Sequence, residues 1–246
     1  MSSSPPIRDA SDIRVLCAGA MHPILDKLAT ALERVSGKPV VVRYASSGGV
    51  KARILDGEPA DIVISTHPAI DELSARQKIV PGTAVDVARS AIGVAVRAGA
   101  KRPDIGSVEA FTAAMRNAKS IAIADPATGS PSGNHLARVF ERLALTAELE
   151  PKILRVGGGA GGVVVAGEAV AKARAEIGFQ QISEILAVPG LDLVGELPPE
   201  LQHLTVFSAA VATTATDMDA ARRLIELLAS PTAAAVINAA GMMAMQ

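Results

Sequence analysis

Aromatic side chains are scarce in this sequence. It has no tryptophan, one tyrosine and four phenylalanines, and aromatics make up 2% of 246 residues. Nucleic-acid bases and sugar rings need flat faces to stack on, so neither is expected as a ligand. An excess of one charge is also missing: 24 Lys and Arg against 25 Asp and Glu leave a net charge of −1. That balance argues against nucleic acid and against an anionic membrane surface as partners. The single cysteine, Cys17, has no internal disulfide partner and falls in an apolar strand, where a buried, inert thiol is expected. The four histidines, His22, His67, His135 and His203, form no H-x-x-x-H pair and match no zinc spacing, so neither a metal nor a cofactor is expected. No apolar run is long enough to span a bilayer. The stretch Met1 to Asp9 lacks the apolar centre of a signal peptide, which points to the cytoplasm unless a leader has been removed.

Several catalytic motifs are absent as well. There is no G-x-x-x-x-G-K-[ST] phosphate loop and no G-x-S-x-G elbow. Gly157, Gly159 and Gly162 do satisfy G-x-G-x-x-G between a strand and a helix. A dinucleotide site would also require an acid near residue 180, where Gln180 and Gln181 stand instead. The glycines are better read as letting the backbone pass close to a compact ligand.

What is present is an α/β pattern. Hydrophobic residues make up 49% of the chain, enough for a sizeable core. The stretch Arg43 to Ser65 sets the theme. Val40 to Tyr44 reads as a buried strand, Ser46-Ser47-Gly48-Gly49 as a tight turn, Val50 to Leu55 as a helix stopped by Gly57, and Ile62 to Ile64 as a second strand. Such a turn aims hydroxyls and N–H groups beyond the carboxyl end of a strand, where open α/β sheets take ligands. Ser46 and Ser47 are therefore a candidate anion seat.

The same alternation runs from the strand Ile13 to Ala18 through strands at Ala91–Val96, Ile121–Ala124, Ile153–Val156, Ile177–Phe179, Leu191–Val194 and Leu204–Val211. It predicts two mainly parallel sheets flanked by helices. Ser107, Thr216 and Ser230 are the expected caps of three helices, and Asp125 that of its own turn. Residues 1–11 read as a polar, mobile tail. Five strand-to-helix turns are rich in small or polar residues: around Ala20, at Ser46-Ser47, at Ser130 to His135, at Gly157 to Gly162, and at Gln180-Gln181. None carries a carboxylate at its tip, which favours a binding site over acid–base chemistry.

The sequence resembles the type II periplasmic solute-binding proteins, in particular their molybdate-binding branch, from about Ile13 to Gly241. The resemblance is carried by Ala45-Ser-Ser-Gly, Gly57-Glu-Pro-Ala-Asp61-Ile-Val-Ile-Ser65, Ile121-Ala-Ile-Ala-Asp125-Pro126, Gly178-Phe179, Val194-Gly-Glu-Leu-Pro198 and Leu228-Ala-Ser-Pro231. It implies a two-lobed fold with the ligand cleft between lobes, the first lobe holding residues 12–89 and 205–246 and the second residues 90–204.

By the same resemblance an oxyanion would be held by serine hydroxyls, backbone N–H groups and a tyrosine hydroxyl. Ser46 and Ser47 match that pattern. The first-turn serine is Ala20 here, with Met21 beside it. The third-turn position falls near Ser132, the glycine-rich turn near Ala160 and Gly161, and the tyrosine position at Gln181. His22, Asn134, His135 and Gln180 add polar groups that would suit a larger ligand with several acceptors, such as an organic polycarboxylate. The fold also occurs in an isomerase that interconverts trans- and cis-aconitate, and the chain resembles that branch too. Two functions follow as expectations. One is a monomeric solute-binding protein, periplasmic by resemblance, that captures a small anion for an ABC transporter permease. The other is an isomerase that uses His22 or His135 as its base.

Overall fold

Apolar residues at alternating positions make the first strand of the computed structural model, which describes residues 12–157 and 166–245. In β1 (Ile13–Ala18), Ile13, Val15 and Cys17 face one core and Leu16 faces another on the opposite side of the sheet. There follow α1 (His22–Ser36), β2 (Val40–Ala45), α2 (Ser47–Leu55), β3 (Ile62–Thr66), α3 (His67–Ala75) and β4 (Val85–Ser90). The middle of the chain forms β5 (Ile92–Arg97), α4 (Val108–Asn117), β6 (Ile121–Ala124), α5 (Pro131–Arg142), α6 (Thr146–Leu149), β7 (Ile153–Val156), α7 (Ala166–Ala171), β8 (Ile177–Gln181), α8 (Ile182–Leu186) and β9 (Leu191–Glu196). The chain closes with β10 (Thr205–Val211), α9 (Met218–Leu228), α10 (Pro231–Ala239) and β11 (Met243–Ala244).

These elements form two units. One runs through Arg89 and resumes at Val206; the other begins at Ser90 and ends at Thr205. The first unit has a six-stranded sheet ordered β11-β4-β10-β3-β1-β2, the second a five-stranded sheet ordered β7-β6-β8-β5-β9. Helices cover both faces of each. In the first unit, residues of α1, α9 and α10 join one core cluster, and residues of α2 and α3 join the other. In the second, α4, α5 and α6 contribute to one cluster and α7 to the other.

Two sheets flanked by helices were expected, but each sheet is mixed. Within the first, β1 pairs in parallel with β2 and β3, while β10 runs antiparallel to β3. Within the second, β6 pairs in parallel with β7 and β8, and β5 runs antiparallel to both β8 and β9. The reason lies in the connections. A parallel neighbour needs a long crossover, usually a helix. No helix precedes β5 or β10, the strands that begin the second unit and resume the first, and each opposes a neighbour.

Four local expectations are revised. The strand at Val40 is half-buried throughout because β2 is the last strand of its sheet. Strand β4 went unread because Val85-Asp-Val-Ala-Arg-Ser90 breaks its apolar run with Asp86 and Arg89. Strand β8 extends through Gln180 and Gln181, so those residues end the strand. Helix α9 is capped by Asp217, whose side chain accepts from the Ala220 N–H; the Thr216 hydroxyl donates to Asp61 instead. The caps at Ser107, Asp125 and Ser230 are as expected. No helix among the described residues is long and apolar enough to cross a membrane.

Candidate functional site

In the first unit the site is built on the start of α2. Ser46 is its cap, and the Ser46 hydroxyl accepts from the Gly49 N–H at 3.0 Å. The Val50 N–H donates to the Ser46 carbonyl at 2.8 Å. The N–H groups of Ser47 and Gly48 precede the helical ladder, which makes this end suited to an anion. Ser47 is 5% exposed, and its carbonyl accepts from the buried Ser65 hydroxyl at 3.4 Å. Small residues are required here, since a Cβ at Gly49 would lie 3.1 Å from Ser46 Oγ.

The turn after β1 is a single 3-10 turn, Gly19–Met21. Ala20 is buried and brings no side-chain donor. Met21 is fully buried among the residues that pack beneath α1. His22 lies on the surface, with Nε2 3.2 Å from Asp26 Oδ2 and its ring edge-on to Tyr44.

In the second unit the start of α5 repeats the arrangement. Ser130 caps the helix, and its Oγ stands 3.2 Å from that of the buried Ser132. The helix begins hard against the carboxyl end of β6: a Cβ on Gly133 would fall 2.2 Å from the Ala124 carbonyl oxygen. Asn134 is half-exposed. His135 places Nε2 2.7 Å from the Leu201 carbonyl and stacks on His203, and burial pushes its pKa down. Ala160 and Gly161 lie outside the described residues.

The end of β8 carries the most heavily bonded polar groups of this unit. The Gln180 side chain accepts from the Gly167 N–H at 2.6 Å. The Gln181 amide, in the orientation that satisfies both its ends, donates to Ser90 Oγ at 2.9 Å and accepts from the Thr205 hydroxyl at 3.0 Å. It therefore joins the residues at which the chain enters and leaves this unit. Below it stands Glu184, a carboxylate that sequence reading passed over. Burial raises its pKa to about 7, against the opposing effect of hydrogen bonds from the Gln181 N–H and the Gln180 amide. The signal was the spacing Gln180-Gln-Ile-Ser-Glu184, which returns the carboxyl one helical turn past the strand's end.

His67 Nδ1 lies 2.7 Å from Asp86 Oδ1, and Ser208 donates to the same oxygen at 2.5 Å. Ser208 Oγ also lies 3.3 Å from His67 Nδ1, but His67 Nδ1 and the Ser208 hydroxyl both meet that one carboxylate oxygen and Ser208 is 1% exposed, so the three residues tie β4, β10 and α3 together. Cys17 is fully buried, and burial raises its thiol well above the ordinary range. Among the described residues no cluster of His, Cys, Asp and Glu could hold a metal ion.

The family model described as bacterial extracellular solute-binding protein matches residues 13–243. An aconitate isomerase from Pseudomonas sp is 33% identical over 250 aligned residues, covering 98% of this chain and 92% of that one. The molybdate-binding protein ModA of Azotobacter vinelandii is 26% identical over 241, covering 94% and 90%. The solved structure of the Azotobacter vinelandii periplasmic molybdate-binding protein superposes with a TM-score of 0.78 at 23% identity, covering 95% of this chain and 100% of that one.

Proposed function

Because this chain belongs to the bacterial extracellular solute-binding proteins, we propose that it captures a small organic polycarboxylate and holds it with neutral hydrogen-bond donors. The observation that carries this reading is the capped start of α2, where Ser46, Ser47 and Gly48 gather hydroxyl and N–H donors around a buried serine. No Lys or Arg among the described residues is buried. A dehydrated anion held by neutral donors does not require a cation to lose its water as well.

Two differences favour a polycarboxylate over a compact oxyanion such as molybdate. Ala20 offers no hydroxyl at the first turn, and the Gln181 amide is engaged within its own unit. Two of the side-chain donors expected for an oxyanion are thus unavailable. The 33% identity to an aconitate isomerase points the same way, to a ligand with three carboxylates. In the transport form of this reading, the loaded protein hands the solute to a membrane permease.

The test is a thermal-shift panel of molybdate, tungstate, sulfate, phosphate, citrate, cis-aconitate and trans-aconitate. The largest shift is expected from a tricarboxylate. A ligand at a hundred times its dissociation constant adds about 2.7 kcal/mol to stability. A larger shift with molybdate or sulfate than with every carboxylate would sink the proposal. A second reading is favoured by the same relative: the chain isomerises the unsaturated tricarboxylate it binds.

A further inference from the structure

The order His-Pro-x-x-Asp occurs twice, as His22-Pro-Ile-Leu-Asp26 and His67-Pro-Ala-Ile-Asp71. Each copy opens the helix that follows a strand, α1 after β1 and α3 after β3. In each the histidine Nε2 meets the aspartate one turn on, at 3.2 Å in the first and 3.3 Å in the second. We infer that His22 moves the proton in that isomerisation, taking it from a methylene carbon of the bound polycarboxylate and returning it at the far end of the allylic system, with Asp26 positioning its ring. The inference rests on the isomerase reading above and names the residues that would carry it.

Topology places His22 beside the serine seat. Strand β1 lies between β2 and β3 and is parallel to both. Helix α1 joins the core on one side of this sheet, whereas α2 and α3 join the core on the other. The chain therefore changes side at the carboxyl end of β1, and open α/β sheets take ligands in the crevice at such a point. His22 opens α1 on one flank of that crevice, and Ser46 and Ser47 begin α2 on the other. The register sets Ala18, the end of β1, beside Ala45, the residue before Ser46. The His22 ring stands edge-on to that of Tyr44, with centroids 4.6 Å apart, so it also touches the strand that leads into the seat.

Of the two copies, only the first leaves a nitrogen open. Both ring nitrogens of His67 face carboxylates, Nδ1 2.7 Å from Asp86 and Nε2 3.3 Å from Asp71. At His22 only Nε2 is engaged among the described residues, by Asp26. A carboxylate accepts and does not donate, so the proton sits on Nε2 and Nδ1 keeps its lone pair. Asp26 is held in turn by the Tyr44 hydroxyl, which donates to its other oxygen at 3.3 Å. A base oriented by a third group is the arrangement that proton abstraction needs. The His22 side chain is 50% exposed, as a group that must meet a ligand requires. The alternatives are less well placed. His135 has a carbonyl as its partner and stacks on His203, so an imidazolium there gains no opposite charge. Asp125 is occupied in capping its own turn through the Ala127 N–H.

The chemistry balances with one group. His22 Nδ1 forms an N–H bond as the substrate's C–H bond breaks, and the electron pair spreads over the allylic carbons and the adjoining carboxylate. The Asp26 carboxylate stabilises the imidazolium that results. The former double bond becomes free to rotate. The same N–H then gives its proton to the other terminal carbon, restoring the double bond in its new geometry. Nothing is oxidised or reduced. The hydroxyl and N–H donors at the start of α2 receive the carboxylate onto which the charge moves.

The test uses the full chain with trans-aconitate in deuterated water, following methylene exchange and cis product by proton NMR, with thermal shift as a separate measure of binding. Wild type should exchange. His22→Gln, at an exposed position, should keep its thermal shift with trans-aconitate and lose exchange by at least about a hundredfold. Added imidazole should restore part of the exchange to His22→Ala, which a merely structural role would not allow. Asp26→Asn should lower turnover by about tenfold or more while KM stays within about threefold. His67→Gln should melt earlier and keep exchange within about tenfold of wild type. A folded His22→Gln within about tenfold of wild type overturns the inference, as does a His67→Gln that loses exchange as fully as His22→Gln. Unchanged turnover in Asp26→Asn removes Asp26 as the positioning residue. A wild type that binds tricarboxylates but exchanges no deuterium overturns His22 and leaves capture standing. A wild type that binds no polycarboxylate overturns the underlying reading as well.

Discussion

Asp61 and Arg14 form an ion pair in which Arg14 Nε stands 3.0 Å from Asp61 Oδ2, and the Asp61 side chain is wholly buried. The Arg14 N–H donates to the same oxygen at 2.8 Å. The Thr216 N–H and hydroxyl donate to the other oxygen at 2.7 and 3.0 Å. One carboxylate at the start of β3 therefore ties β1 to the segment that leads into α9. Asp61→Ala strands the Arg14 guanidinium and the Thr216 N–H. The expected cost is about 3–5 kcal/mol, read from the urea midpoint at constant slope. Removing Arg14 as well should recover part of it; a strictly additive double variant would mean that the pair is not coupled.

The same carboxylate sets the acid limit. Burial would raise the Asp61 pKa, but the bonds from Arg14 and Thr216 outweigh it and the net shift is downward. Glu58 is likewise lowered: the bonds from Arg53 and Arg43 exceed the effect of its burial. A carboxyl whose folded pKa is depressed adds stability that is complete above its unfolded value, about 3.9 for Asp and 4.3 for Glu, and is lost as pH falls through the folded value. His67 has the opposite sign. Its hydrogen bond to Asp86 raises its pKa, so its contribution is full below about 6.5 and fades as pH rises. His67 is half-exposed, so that alkaline effect is small. The melting temperature is expected to hold near neutrality and to drop on the acid side. Asp61→Asn should make the acid limb shallower, and an unchanged limb would assign the loss to other groups.

Ser46 and Ser47 should separate structure from binding. Ser46 is a helix cap, so Ser46→Ala should lower stability by about 1 kcal/mol before any ligand is added, and Ser46→Asp should restore the cap. Ser46→Asp also puts a negative charge where the ligand's carboxylate would sit, so it should refold well and bind poorly. Ser47 lies one residue inside the helix, and Ser47→Ala should leave the unliganded melt within about 0.5 kcal/mol while reducing the shift given by a tricarboxylate. Full retention of that shift in Ser46→Ala, Ser47→Ala and their double variant would remove the seat from α2.

Much of this was legible from residue order because local signals agreed. Apolar alternation placed β1 and β3, helical spacing placed α1 and α5, and Gly57, at φ 89°, stops α2 as its position after Leu55 indicated. What stayed hidden depends on which strands become neighbours. No local pattern says that the Gln181 amide will meet Ser90 and Thr205, because those residues are brought to it by the antiparallel entry of β5. Glu184 was overlooked for a related reason. A charged residue on a five-residue helix reads as a solvated face until strand β8 is seen to end against it.

Gly133 offers the sharpest steric test of the second unit. Its backbone is helical, so alanine meets no conformational objection and would normally favour the helix. The obstacle is contact. A Cβ there would fall 2.2 Å from the Ala124 carbonyl oxygen and 3.0 Å from its carbon. Both are backbone atoms at the end of β6, so no side-chain rotation relieves the overlap, and the start of α5 must move away from the sheet. That displacement carries the buried Ser132 with it and opens the packing of Leu136 and Phe140. Gly133→Ala is expected to cost about 3 kcal/mol, the upper range for overpacking, against the gain of up to about 1 kcal/mol from helix preference alone. Urea denaturation distinguishes the two signs directly. A variant as stable as wild type or more so would mean that α5 does not start against the carbonyl of Ala124.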